Sequence, residues 1–362
     1  AESLPELVAK ENLNLLKYYG YQFRMYMIGG IYLKFTESML NAYSQPLSAT
    51  EEEQCRNAIR MVADALKTFG FTDDNAAIAP LYPDTFSYSL QMHRSSDSRR
   101  IKLFVQGSYA NNTNVRTKSD VDVAVIQEEV FRTEYRASGT VYPQSNADYG
   151  FTTVSVGART FKDEVQEVLK EKFGSDVERK NKSIKVHGNT YRKDADVVPC
   201  RRYRDYRQDY RRDESNFIGG VVIYPDNGGM IINYPEQHIA NGRIKNNATN
   251  YHYKKMVRIM KKMRYLMEDS SYTAYSSAAK NVSSFMLESL LWNIENPWYL
   301  LNCGDCHKVF AFSQLITTLR SKKDDFGKYK EANGIKTLCP TTSDYTSLCN
   351  FLDQLSCFYD YE

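Results

Sequence analysis

Gly107-Ser108-Tyr109, then Asp120-Val121-Asp122-Val123-Ala124-Val125, and further along Asp194-Ala195-Asp196-Val197-Val198-Pro199, are the stretches of this chain that decide how the rest is read. The apolar run Ile101 to Val105 ahead of them predicts a strand, the polar residues Gly107 to Lys118 a turn, and the alternation from Asp120 to Val125 a second strand. Residues two apart on a strand point to one face, so Asp120 and Asp122 are expected side by side in one space. Two crowded carboxylates repel, and such a pair persists where a cation neutralises it; hard oxygen ligands suit magnesium, which also accepts phosphate oxygens. Two metals about 4 Å apart clamp both the attacking and the leaving oxygen of an in-line displacement, which calls for a third carboxylate. Asp196 is the best candidate, with Asp194 on the same face as the alternative. Gly107 lets the backbone approach closely, while Ser108 and free backbone N–H groups can donate to a triphosphate. The bland alternative, an exposed edge strand with solvated charges, suits one Asp-x-Asp pair but not the pair together with a glycine-serine turn and a second aspartate strand.

The remainder of the chain frames this site. Its 362 residues allow one or two domains, and 25% charged with 42% apolar residues describe a globular protein. A net charge of +3 is too small to argue polyanion binding from composition, so a phosphate site has to come from local arrangement. No apolar window spans a membrane and the N-terminal residues lack a secretory layout, so a cytoplasmic location is expected. Seven cysteines without a secretory signal read as reduced thiols, and Cys303-Gly304-Asp305-Cys306-His307 reads as ordinary thiols in preference to half a zinc site or a haem attachment.

Helical spacing is expected at Leu13, Leu16 and Tyr19 and from Ile31 to Met39. Ser48-Ala49-Thr50-Glu51 forms a capping box ahead of a helix through Ala58, Ile59, Val62, Leu66 and Phe69, ended by Gly70. Phe161, Val165, Val168, Leu169 and Phe173 share a helix face closed by Gly174, strands are expected at Ile184 to His187 and Tyr191 to Val198, and Gly219 to Tyr234 reads as a hairpin. Helices are expected from about Asn250 onward. Strands in the first two thirds and helices in the last predict an α+β fold. Met256, Val257, Met260, Met263 and Met267 form a buried stripe on one helix, and most of the cations Lys254, Lys255, Arg258, Lys261, Lys262 and Arg264 around it read as solvated, with Lys261 singled out as functional. The basic and tyrosine-rich run Arg201 to Arg212 could track a phosphate backbone, but Asp205 and Asp209 interrupt it, so an internally paired exposed loop is the stronger reading.

These residues carry a resemblance. Gly107-Ser108-Tyr109 through Asp120-Val121-Asp122, then Asp196-Val197-Val198-Pro199, resembles the polymerase-beta-like nucleotidyltransferase superfamily and, within it, the bacterial cGAS/DncV-like cyclic-oligonucleotide synthases. Asn233-Tyr234-Pro235-x-x-His238-x-x-Asn241-Gly242 and Lys255-x-Val257-Arg258-Ile259-x-Lys261 are similar to the segment joining sheet to helical lobe in those synthases. The resemblance spans roughly residues 100 to 295 and implies a mixed-sheet catalytic core over residues 1–245, preceded by N-terminal helices, and a helical lobe over residues 246–362, with the active site in the cleft between them.

By that resemblance, Asp120, Asp122 and Asp196 would bind two magnesium ions, with manganese as an alternative, and Asp196 would accept the proton of the acceptor hydroxyl. Gln106, Gly107 and Ser108 would hold the donor triphosphate, Lys261 and Ser284 its phosphates, and Phe285 would stack on the donor base. The implied activity joins ATP, GTP or UTP into a cyclic dinucleotide or oligonucleotide with release of pyrophosphate, a second messenger that an effector protein receives in antiphage signalling. A monomer working without a nucleic-acid activator or a membrane is expected. The alternatives are a sibling that makes a linear oligonucleotide or transfers one nucleotide to a protein, RNA end or small molecule, and a silent nucleotide- or RNA-binding module.

Overall fold

Ser48 and Glu51 cap each other: the Ser48 hydroxyl accepts from the Glu51 N–H at 3.3 Å, and the Glu51 carboxylate accepts from the Ser48 N–H at 3.0 Å. Two of the helix's otherwise unpaired donors are thereby satisfied, and the chain runs helical from Ala49 until Gly70, at φ +85°, turns it away. The computed structural model describes residues 34–74, 78–82, 85–115, 120–155, 160–304 and 307–360. The helical spacing expected at Leu13, Leu16 and Tyr19 lies outside them, as do Ile31 and Cys306.

In chain order the elements are α1 (Glu37–Tyr43), α2 (Ala49–Thr68), β1 (Thr72–Asp73), β2 (Ala79–Pro80), β3 (Tyr88–Arg94), β4 (Arg99–Gln106), α3 (Gly107–Ala110), β5 (Val121–Glu134), α4 (Phe161–Phe173), β6 (Val177–Arg179), β7 (Ile184–Val186), β8 (Ala195–Asp205), β9 (Ile218–Ile223) and β10 (Ile231–Asn233). Helices follow: α5 (Pro235–Ala248), α6 (His252–Glu268), α7 (Thr273–Lys280), α8 (Ser284–Trp292), α9 (Asn296–Cys303), α10 (Lys308–Ser321) and α11 (Thr342–Asp360). The strands form one mixed sheet in the order β1-β3-β4-β5-β8-β7-β6, with β2 beside β3, β9 on β8 and β10 on β9. Among the described strands only β5 and β8 run parallel; the chain between them contains α4, β6 and β7.

Alternation sorts the central strands. Val121, Val123 and Val125 turn to one face and are fully buried, while Asp122 turns to the other. The sheet core gathers Ile59, Val62 and Leu66 of α2 and Val165, Val168 and Leu169 of α4 around the strand valines. A second core, built on Met256, Met260, Met263 and Met267 of α6 with Leu287, Leu290 and Leu291 of α8, holds the helices together.

Three expectations change. Helices begin at Pro235, well before Asn250, because proline suits the first turn of a helix. Strand β8 continues through Asp205, so the first five residues of the arginine-tyrosine run are sheet, and several of its cations find partners within the protein. Arg202 is buried against Glu128 at 2.6 Å and Glu236 at 3.2 Å, Arg204 stacks on Phe131 at 3.8 Å, and Arg207 pairs with Asp205 at 2.7 Å. The cations of α6 are also not all solvated: Lys254 and Arg258 are buried, and Arg258 donates to the carbonyls of Ser44 and Asn112 at 2.6 Å each. All described cysteines are free thiols, and among the described residues no helix is long and apolar enough to cross a membrane.

Candidate active site

Strand register builds the site. Gln106 pairs with Asp122 across β4 and β5, Asp122 with Asp196 across β5 and β8, and Asp196 with Lys185 across β8 and β7. Paired residues share a face, so an amide, two carboxylates and an ammonium form one row over four strands. Asp120, just ahead of β5, accepts from Lys185 Nζ at 2.9 Å, and the same ammonium pairs with Asp194 at 2.8 Å. The expected convergence of Asp120 with Asp122 is therefore incomplete: among the described residues no three acidic, imidazole or thiol groups stand close enough to hold one ion. Lys185 sets a positive charge against Asp120, whose carboxylate still acts on Asp122 and Asp196. Asp194 is also engaged, accepting from the Gly188 N–H at 2.6 Å.

The electrostatics expose a shortage of positive charge. Burial, reinforced by the carboxylates of Asp196 and Asp120, pushes Asp122 up to about 7. Burial and Asp120 raise Asp196 as well. A hard divalent cation fits this donor set, since carboxylate oxygens on neighbouring strands are its ordinary ligands and the pair is costly to ionise without one.

Gly107 has φ +72°, and a β-carbon built there would lie 2.3 Å from Asp122 Oδ2. No side chain fits, so the turn carries its backbone against the carboxylate. The Thr113 N–H donates to the Ser108 carbonyl at 2.9 Å, and the buried Tyr109 hydroxyl donates to the Glu52 carbonyl at 3.2 Å, anchoring the turn to α2.

Above the row opens a cavity of about 380 Å³. Gln106, Gly107, Ser108 and Asp122 line it from the sheet, and Lys261, Ser284 and Phe285 from the helices. The structure thus brings together these sequence-derived candidates. Asp196 adjoins Asp122 in the row, and Asp120 is turned to Lys185.

Sequence reasoning missed the group that joins the two sides. Glu288, fully buried on α8, accepts from Lys261 Nζ at 2.5 Å, from the Thr113 hydroxyl at 2.7 Å and from His238 Nε2 at 2.8 Å. Asn111 Nδ2 donates to the Gly107 carbonyl and to His238 Nδ1, each at 3.2 Å, which assigns the imidazole proton to Nε2. Burial pushes Glu288 up, but the Lys261 ammonium and His238 outweigh it and hold the carboxyl well below its ordinary range. Its signal in the sequence was a single carboxylate inside the apolar run Phe285 to Leu291. Of the three donors on Lys261 Nζ, one goes to Glu288 and one to Thr113 at 3.0 Å, and Lys261 is among the residues lining the cavity.

Parallel strands presenting paired aspartates beside a glycine-serine turn, with a helical lobe across the cavity, define a nucleotidyltransferase, and a nucleotidyltransferase-domain family model matches residues 92–215. A second model, the cGAS/DncV-like nucleotidyltransferase C-terminal helical domain, matches residues 240–360, and the chain belongs to the cGAS/DncV-like nucleotidyltransferase family. It is 45% identical over 330 residues to the cyclic GMP-AMP synthase CdnE03 of Staphylococcus schleiferi, covering 90% of this chain and 97% of that one. It is 32% identical to the cyclic dipurine nucleotide synthase of Elizabethkingia meningoseptica, over 74% and 80% of the two chains. The solved structure of the Rhodothermus marinus CdnE c-UMP-AMP synthase with Apcpp and Upnpp superposes with a TM-score of 0.65 at 27% identity, covering 90% of this chain and 96% of that one.

Proposed function

We propose that this enzyme joins ribonucleoside triphosphates and closes the product into a cyclic dinucleotide or oligonucleotide, releasing pyrophosphate at each bond. The observation that carries the reading is Asp122, in register with Asp196 and beside Gly107, lining a cavity that Lys261, Ser284 and Phe285 also line. The printed names of its relatives, cyclic GMP-AMP synthase and cyclic dipurine nucleotide synthase among them, support the same class of product.

Asp122 and Asp196 would hold magnesium, with Asp120 joining them on exchanging its Lys185 contact for the ion, and the metal would supply stabilisation of charge on the attacking hydroxyl and the departing pyrophosphate. The chain's own groups do the rest. Ser108 and the backbone N–H groups of its turn orient the triphosphate, and Lys261, fixed by Glu288, meets phosphate charge without having to search for it. Phe285, held edge-on to His238 with ring centroids 4.8 Å apart, offers a face to the base. Burial and Asp120 raise the proton affinity of Asp196, which suits it to take the proton of the acceptor hydroxyl. The cyclic product is a diffusible signal for a separate effector, in line with the antiphage role of the family.

The test is product analysis. Purified protein with magnesium and each combination of the four ribonucleoside triphosphates, with and without added nucleic acid, is expected to yield a phosphatase-resistant product whose mass is that of a ring. A product that stays phosphatase-sensitive under every condition would assign the enzyme to linear synthesis or single-nucleotide transfer.

A further inference from the structure

One wall of the cavity comes from a part of the chain that motif reading left unassigned. Between Tyr329 and Leu338 the backbone folds into a tight turn, with Lys330 and Thr337 bridged and Gly334 at φ +74°. The turn presents Glu331 and Asn333 to the cavity. Buried Ala332 pins it from both sides: its carbonyl accepts from Asn241 Nδ2 of α5 at 3.0 Å, and its N–H donates to the Ser289 hydroxyl of α8 at 3.0 Å. Asn333 Oδ1 accepts from the N–H groups of Ile335 and Lys336, and Asn333 Nδ2 donates to Glu331 Oε2 at 2.6 Å. Lys336 Nζ stands 3.7 Å from Glu331 Oε1. The carboxylate is thus fixed in place before any ligand arrives.

An immobilised carboxylate is a poor neighbour for a triphosphate, so its partner in the nucleotide must be a group that donates hydrogen bonds. A carboxylate only accepts. Among the bases, guanine alone presents two adjacent donors on its Watson–Crick edge, N1–H and the exocyclic amino group, at a spacing that two carboxylate oxygens can meet together. Adenine N1, cytosine N3 and the uracil carbonyls each set an acceptor against it. We propose that Glu331 selects guanine in this nucleotide pocket, with Asn333 as its positioning residue. The inference rests on the proposed synthase reading and narrows its substrate. A cyclic dinucleotide has two phosphodiester bonds, and the described residues hold one aspartate row to make both. Each nucleotide therefore occupies the donor position once, and the product contains at least one guanosine.

The test measures equilibrium binding, in magnesium, of GTP and ATP analogues whose α,β-bridging oxygen is replaced by methylene, to the wild-type protein and to Glu331→Gln. The wild-type protein should prefer the guanine analogue. Glutamine keeps the shape but replaces one acceptor by a donor, the pattern that complements adenine, so the variant should lose at least about tenfold in guanine affinity and none in adenine affinity. Wild-type binding without guanine preference overturns the proposal, and that arm needs no variant to fold. Equal losses for both analogues also overturn it, because they would assign Glu331 to the ribose or to the fold. Binding needs no turnover, so guanine selection without cyclic product would sink the synthase reading alone. A cyclic product lacking guanosine would sink this inference alone.

Discussion

Gly107 and Asp122 are so close that a β-carbon on the glycine would lie 2.3 Å from the aspartate Oδ2, at a backbone φ of +72° that L side chains rarely adopt. Gly107→Ala must therefore move either the turn or the carboxylate. A displacement of about 1 Å at reacting groups costs on the order of 100-fold in rate, so turnover should fall by about that factor. Pyrophosphate release measured beside a melting curve checks this, and an alanine variant with wild-type turnover would show that the close approach has no part in catalysis.

Asp122 gives a prediction with a sign. Its proton affinity in the folded protein, raised to about 7, exceeds that of an unfolded aspartate, so between pH 4 and pH 7 the native state binds the extra proton. Stability of the metal-free protein should fall as pH rises through that window and level off above it. Asp122→Asn removes this contribution and should melt higher than wild type by a few degrees at pH 8, about the same at pH 4, while losing about 1,000-fold or more in turnover. Melting temperatures of both proteins in chelator across that range are the measurement.

Lys185 holds Asp120 and Asp194 through one ammonium and lies in register with Asp196. Lys185→Met leaves the acidic groups facing one another with less positive charge between them. The metal-free variant should be destabilised by about 1–3 kcal/mol, and magnesium should raise its melting temperature more than it raises that of wild type. Equal magnesium-induced shifts would mean that Lys185 does not compensate for the missing cation.

Glu288 and Lys261 are both buried and 2.5 Å apart, so removing one strands the other. Glu288→Leu and Lys261→Met, each alone, should cost about 3–5 kcal/mol. The double variant Lys261→Met with Glu288→Leu should be less destabilised than the two single losses summed, yet remain slow, because apolar residues can replace the pair's packing but not its charge at the cavity. Denaturant melts of the two single variants and the double close the cycle.

The sequence by itself determined what depends on near neighbours. The Ser48 and Glu51 cap, the alternation that buries Val123 and turns out Asp122, the stripe from Met256 to Met267 and the glycine needed at 107 all express spacings of a few residues, and each stands in the structure. Tertiary structure decided what depends on pairing between distant segments. Register set Gln106, Asp122, Asp196 and Lys185 in one row, and the fold brought the Lys185 ammonium against Asp120. Glu288 meets Thr113 across 175 positions, and Glu331 reaches the same cavity from a turn that carries no motif. The charges in Arg201 to Arg212 looked like surface until their partners, Glu128 and Phe131 among them, were brought alongside. Periodicity is a local property of a chain, whereas the partner that makes a buried charge tolerable is supplied by whichever segment the fold places against it.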